Sequence, residues 1–155
     1  MGIKTSMPLA LAERIVDGAL AAGRAEAMHP LTVVVLNAGG HIVASKSEDG
    51  SGILRFDVAR GKAWGALGMG ISSRLIRDRL SERPVFQNAL AAASDGRFIP
   101  VPGGVLVLDD EGNTIGAIGI SGDSSERDEY CALQGARAAG LATEPAEPDP
   151  DWRGT

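Results

Sequence analysis

The sequence predicts an α+β protein, an antiparallel sheet with helices packed on it. Two pairs of short strand-like runs, rich in valine and isoleucine, each close on a glycine-containing turn. Stretches with apolar residues at helical spacing precede, separate and follow those pairs. The resulting order is helix, hairpin, helices, hairpin, helix.

The first helix is expected from about Leu9 to Ala27. Ala12, Val16, Ala19, Leu20, Gly23 and Ala27 recur at helical spacing, while Glu13, Arg14, Asp17 and Arg24 fall elsewhere. Met28-His29-Pro30 ends it, because a residue before proline is pushed out of the α region. Leu31 to Leu36 and Ile42 to Ser45 form the first hairpin across Ala38-Gly39-Gly40, and a polar loop runs from Ser47 to Gly52. From about Ile53 to Met69 the pattern is helical again, with Phe56, Ala59, Ala63 and Leu67 on one face. A second face carries Gly61, Gly65 and Gly68. Interior helix glycines cost about 1 kcal/mol each against alanine, so three on one face predict close packing by another backbone, from a second copy or from the same chain.

Two shorter helices follow, over Ser72 to Leu80 and Pro84 to Ala93. A second hairpin joins Gly104 to Leu108 with Thr114 to Ser121 around an acidic tip, Asp109-Asp110-Glu111. The last helix runs from about Ser124 to Ala139 and stops at Gly140. One domain over residues 1–142 is therefore expected, and 143–155 reads as an acidic, proline-containing tail, extended or disordered.

Composition narrows the function. The 155 residues suit one domain. A net charge of −5 offers no basic stripe for nucleic acid and disfavours anionic membrane surfaces. Cys131 stands alone, so no internal disulfide is expected, and no apolar run is long enough for a membrane span. With no signal-type start, the expected location is cytoplasmic.

No nucleophile elbow, zinc-protease, Walker or dinucleotide motif occurs. Glu126 and Glu129, one turn apart, read as a solvated helix face rather than an iron site, and Cys131 as a small buried apolar residue. The best pocket candidate is Ile120-Ser121-Gly122-Asp123-Ser124-Ser125, which leads from a strand into a helix. Free N–H groups at such a start attract carboxylates, although Asp123, Ser124 or Ser125 can cap the helix instead. Arg60 and Lys62 on the second helix are candidate cationic partners. His29 and His41 are the only imidazoles, each readable as a metal ligand or as a structural hydrogen-bonder.

Several blocks in register carry a family resemblance: Ala12-Glu13-Arg14-Ile15, Ala38-Gly39-Gly40-His41-Ile42-Val43, Asp49-Gly50, Gly61-Lys62-Ala63, Phe98-Ile99-Pro100-Val101-Pro102-Gly103-Gly104-Val105 and Ile115 to Gly122. In these the chain, from about Leu9 to Leu141, resembles the GlcG/HbpS-type haem-binding proteins (the DUF336 family), which include the C-terminal domain of PduO-type corrinoid adenosyltransferases. It departs from the family pattern at Asn37, usually Asp, and at Gly65, commonly Thr. The resemblance implies a profilin-like layered fold with a roughly five-stranded antiparallel sheet, a tendency to multimers, and binding of haem or a related tetrapyrrole.

Residues and resemblance together suggest a site. Ser121, Gly122 and Ser124 would bind an anionic group with help from Lys62, Gly103 and Gly104 would form a glycine floor, and His41 or His29 would be the iron ligand. Two alternatives stand beside this. One is a small catabolic enzyme acting on an organic acid by proton transfer through His41 and Lys62. The other is an accessory protein whose function is assembly.

Overall fold

The computed structural model describes all 155 residues. Five helices, α1 (Leu9–Ala25), α2 (Leu54–Met69), α3 (Ser73–Leu80), α4 (Pro84–Ala93) and α5 (Ser125–Ala138), accompany five strands. The strands are β1 (Thr32–Asn37), β2 (Ile42–Ser47), β3 (Gly104–Leu108), β4 (Thr114–Ser121) and β5 (Ala142–Glu144), in the order β2-β1-β4-β3-β5 with every pairing antiparallel. This is the α+β arrangement expected.

Strand side chains alternate between faces, and here both faces are covered. Val33, Val35, Val105, Val107, Ile118 and Ile120 meet Ala12, Ile15, Val16 and Ala19 of α1 and Ala132, Leu133 and Ala136 of α5. On the other face Val34, Leu36, Leu106 and Ala117 meet Ala59, Ala63 and Ala66 of α2. The layers are thus α1 and α5, the sheet, then α2. With few aromatics to fill space, the α2 layer closes by bringing backbones together. Gly104 and Gly119 face each other across β3 and β4, and a Cβ on either would strike the carbonyl of Lys62 or Ala59. Glycine is needed there for close approach rather than for its dihedral freedom.

One expectation is corrected. Residues 143–155 are not a loose tail. Glu144 lies in β5, paired along the β3 edge, and a final 3₁₀ turn, Trp152–Gly154, brings a buried Trp152 onto Tyr130 of α5 with ring centroids 3.8 Å apart. Their acidic composition suggested disorder, but Arg74 and Arg137 tie the carbonyls of Glu147 and Ala146. The glycine face of α2 is explained within the chain. A Cβ at Gly61 would meet Ile99 at 2.5 Å, and one at Gly65 would meet Phe98 at 3.2 Å. Gly68 has no such neighbour.

Candidate functional site

The anion site expected at the start of α5 is filled by the protein itself. Ser124 caps the helix, its Oγ accepting from Arg127 N–H, and Asp123 carboxylate oxygens accept from the N–H groups of His29 and Ser124. Asp128 Oδ1 accepts from Asp123 N–H. Ser121 is buried, with Arg55 Nη1 donating to its Oγ, and a Cβ on Gly122 would run into the carbonyl of Pro30. Gly122 serves chain packing here.

Lys62 does not reach an open pocket. It is 2% exposed and donates to Ile120 O at 2.9 Å and Asp128 Oδ2 at 3.0 Å. Burial pushes the ammonium below its usual range and lifts the Asp128 carboxyl to about 6, each opposed by the attraction of its partner. The space above Gly103 is taken by the Lys62 side chain, so the Gly103-Gly104 floor carries α2 itself.

The two histidines lie at opposite ends of β1. His29 precedes Thr32 and His41 follows Asn37, a strand length of about 17 Å at about 3.3 Å per residue. They cannot share one iron. Nor are His41 and Lys62 neighbours: Ile120, which accepts from Lys62, pairs with Val33, four residues along β1 from Asn37. That is about 13 Å of strand, so the pair needed for proton transfer is not assembled. No three of His, Cys, Asp or Glu converge as a metal cluster. Glu129, read as solvated, is fully buried with Oε2 at 3.2 Å from Arg74 Nε.

Open chemistry gathers instead around Trp64, on the outer end of α2. Its indole and Gly68 form the shared wall of two clefts. One, of about 180 Å³, is closed by Gly65, Met69, Leu90, Ala93, Ser94 and Phe98. The other, of about 170 Å³, is closed by Ala38, Gly39, Gly40 and Leu67. The first hairpin supplies that second wall. Asn37 Oδ1 accepts from the N–H groups of Gly39 and His41, which fixes the turn; an amide oxygen serves as a carboxylate would. Gly40 has φ +81°, and a side chain there would meet Trp64 Nε1 at 2.9 Å. The exposed His41 ring leans back over Gly39, its Nδ1 3.1 Å from where a Cβ would stand. Trp64 Nε1–H has no acceptor within the chain, and the Arg97 guanidinium lies 4.2 Å over the indole.

Sequence reasoning singled out His41 but missed Trp64 and Arg97. Neither stands in a recognisable motif. The one available signal was Gly68, whose lack of a side chain no packing demand explains.

These elements define a class. A family description, haem degrading protein HbpS-like, matches residues 7–137. The chain therefore belongs to the HbpS-like family. Solved structures agree on the fold. The PduOC:heme complex is 22% identical, with TM-score 0.77, covering 89% of this chain and 98% of that one. A double mutant of Streptomyces reticuli HbpS is 24% identical, TM-score 0.73, with 88% and 89% covered. Klebsiella pneumoniae protein ORFY is 23% identical, TM-score 0.76, with 90% and 94% covered. Comparison with curated proteins gives no match.

Proposed function

We propose that this protein binds haem or a closely related tetrapyrrole at the Trp64 clefts and does so as a homo-oligomer. The observation that carries this is the pair of apolar clefts sharing Trp64 and Gly68, with the exposed His41 ring lying over Gly39 beside one and the Met69 thioether in the other. A flat apolar ligand fits that shape, and His41 or Met69 offers an axial donor. The family description and the heme complex of a related fold support the reading.

Trp64, Leu90 and Phe98 would hold the macrocycle, and the hairpin turn would fix its edge. A bound haem would supply an iron centre whose behaviour follows from its axial donor and the polarity around it. Each cleft is smaller than the roughly 300–1,000 Å³ of sites that enclose a ligand. A tetrapyrrole on one chain would therefore keep an open face, which a second copy could cover.

Gly68 provides the test. Its Cβ position touches only the Trp64 ring, at 3.6 Å, so a side chain is tolerated there and projects into both clefts. Gly68→Leu is expected to keep the fold, with a melting temperature no lower than wild type, and to weaken hemin binding at least tenfold in a Soret titration. Wild-type affinity in this variant contradicts the site. His41→Ala distinguishes the imidazole's role: a moved Soret band marks an iron ligand, and weaker binding with an unmoved band marks a hydrogen-bonder.

A further inference from the structure

We infer that Arg97 reads a carboxylate of the ligand, and that the site accordingly selects acidic tetrapyrroles over their neutral esters; this rests on the reading of the Trp64 clefts given above. The side chain is held in place before any ligand arrives. α4 ends in a turn through Asp95 (φ +56°) and Gly96 (φ +80°), closed by Gly96 N–H to Ala91 O at 2.8 Å. That turn throws the chain back across α2, where Phe98 is buried beside Ile76 and Leu80 and Ile99 N–H donates to Gly61 O at 3.3 Å. The backbone on either side of Arg97 is thus fixed.

Its guanidinium is fixed as well. Arg97 Nε donates to Ser94 O at 2.8 Å, and the plane rests over Trp64. Ser94 and Trp64 both line the larger cleft. The two terminal nitrogens, Nη1 and Nη2, have no acceptor and no acidic partner in the chain. A planar fork with one N–H tied back and its outer edge free suits a carboxylate, and little side-chain freedom is left to lose on binding. Lys62 is sealed against Asp128, and Arg77 and Arg74 are paired with Glu126 and Glu129, so none of these three is free for this role.

Hemin and its dimethyl ester, which differ only in the two carboxylates, separate this inference from the reading beneath it. Each is titrated by absorbance into wild type, Arg97→Gln and Arg97→Lys. Wild type is expected to prefer hemin about tenfold or more. Arg97→Gln is expected to lose that preference while binding the ester as wild type does, and Arg97→Lys to keep part of it. Two results overturn the inference and leave the clefts standing: a hemin preference that survives in Arg97→Gln, or equal losses for both porphyrins, which would make Arg97 a support for Trp64. Failure of wild type to bind either porphyrin overturns the inference and the reading together.

Discussion

Lys62 shows at a single residue how composition and position can mislead. A lysine in a family block on a helix reads as a cation waiting for an anion. In the structure its four-carbon stem runs through the space over Gly103 and its ammonium ends between Ile120 O and Asp128. Nothing in the local sequence says which face of α2 meets the sheet at that turn, because the glycines that admit it, Gly104 and Gly119, lie far along the chain. Removing one member of a buried pair strands the other, at a cost of about 3–5 kcal/mol. Lys62→Gln is therefore expected to melt well below wild type while binding hemin with wild-type affinity once folded. A stable variant with impaired binding would return Lys62 to the site.

At the scale of elements, the long helices and both hairpins were legible because their periodicity spans many residues. Their ends fall within a few residues of those expected. β5 was not legible. Three residues, Ala-Thr-Glu, carry no pattern, and they form a strand only because the β3 edge is open to them. The chain that follows covers Glu129, a carboxylate whose oxygens have no aligned hydrogen bond although Arg74 lies beside it. Burial lifts its pKa to about 7, with Arg74, the backbone of Asp149 and Arg77 pulling it down and the Asp149 charge pushing it up. The folded protein holds this proton more tightly than the unfolded chain. Its contribution is thus complete below the ordinary value of 4.5 and is lost as pH rises through about 7. Stability is expected to fall across that window, with a slope from this group approaching about 1.4 kcal/mol per pH unit. Denaturant melts of Glu129→Gln should show that slope removed; an unchanged slope would assign the pH dependence elsewhere.

The whole molecule is well covered on two sides and poorly on a third. α1 and α5 seal one face of the sheet and α2 the other, but no residue of α4 is buried, and Val85 is 82% exposed. An apolar helix left uncovered beside clefts too small to enclose a tetrapyrrole is the basis for expecting assembly, replacing the glycine face of α2, which the chain fills itself. Light scattering should return a multiple of 16.0 kDa; a single-chain mass at micromolar concentration would leave any tetrapyrrole half exposed. The general site was legible only in part. His41 and the hairpin stood out from the sequence, whereas the partners that make a cleft of them, Trp64 and the α4 turn, come together only through the crossing of Arg97–Ile99 over α2. A crystal structure of the hemin-loaded protein tests this arrangement directly. The tetrapyrrole should lie against Trp64 and Gly68, between the Ala38–Gly40 turn and Leu90–Ser94; density at the Ser121–Ser124 start of α5, or at any other surface, would contradict it.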